Sequence, residues 1–135
     1  MSDTKTMKHL AFIGLLFFLM DCSDQVSEVQ LTDLSTHNMK LLPEKPTSND
    51  QIKLVVFDDC TYNQLVGVTR SDKTIDIRKQ FNGMMKWACI PRNDTILIGK
   101  LPEGSYNVNY TLIDTSQPSP QNISVSFTFQ LMVTR

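Results

Sequence analysis

Histidine is almost missing from this chain: two residues in 135, one of which, His9, stands just ahead of the first apolar run. Hydrolases of the Ser or Cys type need a base that is held within hydrogen-bond reach of the nucleophile. His37, the other candidate, lies in a polar stretch where nothing in the sequence orients it. Neither Cys-x-x-Cys nor His-Glu-x-x-His occurs, so the usual spacings of a zinc site are absent. The five glycines include no phosphate-binding loop. Lys and Arg number 13 against 14 Asp and Glu, with no basic run, which argues against a nucleic-acid surface. Catalysis, a bound cofactor and nucleic-acid binding are therefore not expected.

What is present begins with an oily prefix. Lys5 and Lys8 precede an unbroken apolar run over residues 10–20, closed by Asp21. Its eleven residues match the core of a signal peptide and fall short of the roughly 20 needed to span a bilayer. No small-x-small cleavage site follows. Leu19-Met20-Asp21-Cys22-Ser23-Asp24 instead resembles the lipobox of bacterial lipoproteins, with Leu three residues before Cys and polar sequence after it. Asp21 stands where that family carries Gly, Ala or Ser. The resemblance implies a signal peptide over residues 1–21, lipid attachment at Cys22 and a membrane anchored through acyl chains rather than a spanning helix. It also accounts for an odd cysteine in an exported chain, since Cys60 and Cys89 remain as a pair.

Residues 22–50 read as a polar tether, with Pro43 and Pro46 near its end. The alternation around Val26 to Leu34 leaves a first strand there as an open alternative.

From residue 51 the period becomes two. Ile123, Val125, Phe127, Phe129, Leu131 and Val133 fall on one side of a strand, as do Tyr106, Val108, Tyr110 and Leu112 on another. Alternate side chains point to opposite faces, so each segment has one core face and one wet face. Further strands are predicted over residues 52–57, 64–70, 74–79, 84–90 and 94–99, and Asn82-Gly83 is a turn signal because both residues tolerate positive φ. Seven short strands without helical period predict an all-β antiparallel sandwich over residues 51–135.

Leu101-Pro102-Glu103-Gly104-Ser105-Tyr106 resembles the tyrosine corner of immunoglobulin-like and fibronectin-like sandwiches. That resemblance assigns Leu101, Gly104 and Tyr106 to the corner, with the Tyr106 phenol bonded to backbone upstream. Together with the lipobox, the stretch from Asp94 to Tyr106 is similar to small Bacteroidota-type lipoproteins carrying a single immunoglobulin-like domain. The likeness implies an exported protein at the outer membrane or cell surface and no chemistry.

In an oxidising compartment Cys60 and Cys89 are a candidate disulfide; two separately buried thiols are the other reading. Asp58-Asp59 with Asp72 or Asp114 lacks calcium-loop spacing, and exposed acids at a strand end are the expectation there. Met84, Lys86 and Trp87 form the candidate contact surface, although a Trp is more often core than contact. The expected function is non-catalytic binding or scaffolding of an envelope protein or glycan. Two others stay open. A carrier of an apolar ligand between the sheets would show an empty pocket above roughly 300 Å³. A carboxylate-based hydrolase would show two converging carboxylates, one of them with a raised pKa.

Overall fold

The computed structural model describes residues 33–86 and 88–135. The expected signal peptide, Cys22, residues 26–32 of the alternative first strand, and Trp87 lie outside them.

Among the described residues seven strands form two packed sheets. In chain order they are β1 (Met39–Leu42), β2 (Ile52–Cys60), β3 (Gln64–Ser71), β4 (Thr74–Phe81), β5 (Pro91–Gly99), β6 (Gly104–Asp114) and β7 (Ile123–Val133). One sheet has the order β1-β2-β5 and the other β3-β4-β6-β7. All pairings are antiparallel except β4 with β6, which run parallel. The second sheet is therefore mixed, where an antiparallel one was expected. The tight β3–β4 hairpin turns the chain at Asp72 (φ 51), and the chain then crosses to the other sheet as β5 before returning as β6. That crossover brings β6 alongside β4 in the same direction.

Six of the expected strands are present, and the seventh is not where the pattern placed it. Residues 84–90 do not form a strand among the described residues. The Met85 N–H donates to the Asn82 carbonyl (3.1 Å) and the Met84 N–H to Asn82 Oδ1 (3.0 Å), closing a side-chain-capped turn in place of a ladder. Gly83 is needed there for close approach rather than for positive φ: its N–H meets Asp114 Oδ1 at 2.8 Å, and an added Cβ would lie 2.4 Å from Asp114 Oδ2.

The missing strand is supplied by the stretch read as tether. Met39–Leu42 pairs with β2, a 3₁₀ turn (Leu34–His37) capped by Asp33 leads into it, and Pro46 is fully buried. The Ser48 N–H donates to the Thr134 carbonyl (2.9 Å) and the Thr134 N–H to that of Pro46 (3.0 Å), binding the segment to the end of β7. The folded body thus includes residues 33–50, upstream of the boundary expected at residue 51. Short polar segments become ordered when their backbone groups find partners at a sheet edge.

The core lies between the sheets, with Ile52, Leu54, Ile96 and Ile98 facing Ile75, Ile77, Val108, Phe129 and Leu131. At the far end of β7 the alternation outruns the core: Ile123 is 52% exposed and Val125 only partly buried. At the corner the Tyr106 phenol donates to the Pro102 carbonyl at 2.8 Å, and Gly104 holds φ 151, a region other residues rarely adopt. Tyr106→Phe is expected to lose about 1 kcal/mol of stability, the usual net contribution of one such bond. Urea unfolding with an unchanged midpoint would contradict it.

Candidate functional site

One end of the sandwich gathers the chemistry of this chain. There β2, β4 and β6 end, β3, β5 and β7 begin, and the loops over residues 61–63, 82–90 and 115–122 connect them.

Beneath those loops lies a buried lysine. On β4 the inward positions are Ile75, Ile77 and, two residues on, Lys79, whose exposure is 0%. The same period on β5 places Asp94 in line with Ile96 and Ile98. Asp59 reaches the core differently. Ile52, Leu54 and Val56 face inward on β2, so a regular strand would turn Asp58 in and Asp59 out. Between the pairs Val56–Asp94 and Asp59–Arg92, β2 carries one residue more than β5, and Asp58 sits at φ 52. This bulge resets the alternation and turns Asp59 inward, to 8% exposure. The expectation of exposed acids at this strand end is corrected for Asp59.

Lys79 of one sheet thereby meets Asp59 and Asp94 of the other. Lys79 Nζ contacts Asp59 Oδ2 directly and donates to Asp94 Oδ2 at 2.6 Å. Asn63, in the β2–β3 turn, donates from Nδ2 to Asp59 Oδ1 at 2.7 Å, while its own buried Oδ1 has no partner among the described residues. Burial pushes Asp94 up, but the Lys79 hydrogen bond and charge, aided by the Thr95 N–H and Arg92, outweigh it and hold the carboxyl below its usual range. Tyr110, inward on β6, is pushed far above the usual phenol value by burial and by the charges of Asp59 and Asp94.

A hollow of about 230 Å³, lined by His37, Asp59 and Tyr110 among others, reaches this cluster. His37 is not loose, as expected of a tether residue. Its ring stacks on Phe127 with centroids 3.9 Å apart and planes 4° apart, and Phe127 in turn stacks on Tyr110 at 5.2 Å.

Above the cluster, Cys60 at the end of β2 is joined to Cys89 by a disulfide, with Cα atoms 5.0 Å apart. It pins the 82–90 connection to the opposite sheet. Of the candidate contact residues, Met84 is 76% exposed and Lys86 is also exposed; Met85 and Ile90 join them. Tyr62, Phe81 and Met85 line a further hollow of about 240 Å³ beside this loop. Neither Asp72 nor Asp114 approaches Asp58-Asp59 as a ligand set. Asp72 turns the hairpin at the other end of the sandwich, and Asp114 accepts from the N–H groups of Gly83 and Ser116.

Lys79 stands third in an Ile-x-Ile-x-Lys alternation and Asp94 first in Asp-x-Ile-x-Ile, inside the strands predicted over residues 74–79 and 94–99, but neither was among the candidate site residues. Asp59 had no such signal, because a bulge is not written in the hydrophobic period. Chemically, the cluster holds two carboxylates converging on one ammonium. The hydrolase reading asked for a carboxyl pushed upward, and Asp94 is held downward. Two hollows above 300 Å³ among the described residues, of about 550 and 360 Å³, lie along β1 and its flanking loops, while Ile77, Ile96 and Val108 fill the centre. Comparison with protein-family models, curated proteins and solved structures finds no match to this chain.

Proposed function

We propose that this chain is a lipid-anchored cell-envelope protein whose immunoglobulin-like sandwich binds or scaffolds, without catalysis, through the loops at the disulfide end. The Cys60–Cys89 bond carries the reading. Disulfides persist in oxidising compartments, so the bond supports export, and export supports the signal-peptide and lipobox reading of residues 1–22. The same bond presents Met84, Met85 and Ile90 to solvent on a held loop beside Tyr62 and Phe81. Exposed apolar side chains on a braced loop are suited to contact with a protein or the apolar faces of a glycan.

Mass spectrometry of the protein extracted from its native membrane tests it. A mature chain beginning at a fatty-acylated Cys22 is the expected result. Residues 1–21 still attached to a chain recovered from the cytoplasm, with Cys60 and Cys89 as thiols, would remove both the anchor and the compartment.

A further inference from the structure

We propose that Lys79 and Asp59 form an intramolecular amide that joins the two sheets covalently, with Asp94 as the proton relay and Asn63 as the oxyanion donor. The inference stands apart from the envelope reading, since it needs only the folded sandwich.

Four features of the cluster point to it. The Lys79 amine is wholly buried and touches Asp59 Oδ2, so nucleophile and electrophile are held together on facing strands, β4 and β2. Such fixed proximity is equivalent to very high local concentrations, about 10⁵ M or more. Bulk water, which drives amide hydrolysis, is excluded around a side chain of 0% exposure. A second carboxylate, Asp94, contacts the same nitrogen at 2.6 Å. Finally, Asn63 Nδ2 lies 2.7 Å from Asp59 Oδ1, where negative charge develops when the carboxyl carbon is attacked.

The step balances without an added reagent. One proton passes from the Lys79 ammonium to Asp59 Oδ2 across their contact, leaving a neutral amine and a neutral acid. The Nζ lone pair attacks Asp59 Cγ, a C–N bond forms, and the carbonyl electrons move onto Oδ1 against the Asn63 N–H. Asp94 takes one proton from the new ammonium centre and passes it to the Oδ2 hydroxyl. The C–Oδ2 bond breaks, water leaves, and the electrons on Oδ1 restore the carbonyl. Asp94 ends as it began. The hollow lined by His37, Asp59 and Tyr110 gives the released water a way out.

Tryptic mapping of the purified full chain, reduced and alkylated so that the disulfide contributes nothing, reads the product directly. The expected result is a branched peptide joining residues 54–70 to residues 79–86, lighter by one water than the sum of its parts. Asp94→Asn is expected to lose at least nine-tenths of the branched peptide, and Lys79→Arg all of it. Two separate peptides from the unmodified chain, with Lys79 open to trypsin, would overturn the proposal whether or not the variants fold. A branch at Asp94 instead of Asp59, or full linkage in folded Asp94→Asn, would overturn the assigned roles.

Discussion

Lys79→Met is expected to destabilise the domain by about 3–5 kcal/mol, the cost of leaving buried charge without its partner. Side-chain length is nearly kept, so lost packing is a small part of the effect. The variant leaves Asp59 and Asp94 without the Lys79 ammonium between them, with Asn63 still donating to Asp59. That outcome is the same in kind whether Lys79 is ionic or linked in the wild type; the linked form adds the loss of a covalent tie. The pH dependence has a definite sign. In the ionic wild type Asp94 titrates below its ordinary 3.8 because of Lys79, so its stabilising contribution is present above that value and lost only as pH falls through the lowered one. In the variant the counter-charge is gone and burial remains, so protonation relieves the folded state. For the ionic form the gap between the two proteins is therefore widest near neutral pH and narrows as pH falls toward about 4. Urea unfolding of both proteins from pH 3.5 to 7 measures it. A loss within about 1 kcal/mol at pH 7, the range of an exposed ion pair, would mean that the cluster is solvated after all.

Breaking the disulfide is expected to have the next largest effect. Cys60 and Cys89 are 29 residues apart, and closing a loop of that length restricts the unfolded chain by about 3.6 kcal/mol in the chain-entropy treatment. Cys60→Ser with Cys89→Ser should lose that amount in urea unfolding, and reductant should do the same, since Cys89 is exposed. A local effect accompanies the global one. Residues 82–90 have no ladder partners among the described residues, and the cystine ties them to β2, together with Thr61 N–H donating to Ile90 (3.2 Å). Reduction should therefore speed tryptic cleavage after the exposed Lys86 well before the sandwich unfolds. An unchanged unfolding midpoint and an unchanged cleavage rate would show that the connection is held by its packing instead.

Period-two alternation made β6 and β7 legible, because a strand between a core and water needs apolar residues at every second position. The Leu-x-x-Gly-x-Tyr spacing pointed to the Tyr106 bond to Pro102, a contact four residues long that depends on little beyond its own segment. Met84 to Ile90 misled for the converse reason. Its apolar residues are spaced like a strand's, but the segment has to cross between sheets, and the turn at Asn82 leaves it no neighbour to pair with. The Met39–Leu42 strand was hidden because its ladder to Lys53–Val56 is set by β2, not by any pattern of its own.

The chain's local chemistry determined the two-layer β architecture, the oily prefix and most core positions of β4, β5 and β6, since these follow from hydrophobic period and run length alone. Which strand lies beside which, and therefore the meeting of Lys79 with Asp59 and Asp94, was decided only by the tertiary structure. Residues twenty and fifteen positions apart come together through a bulge at Asp58 and the stacking of one sheet on the other. Both depend on how backbone groups are paired across the whole fold, and no stretch of sequence carries that pairing by itself.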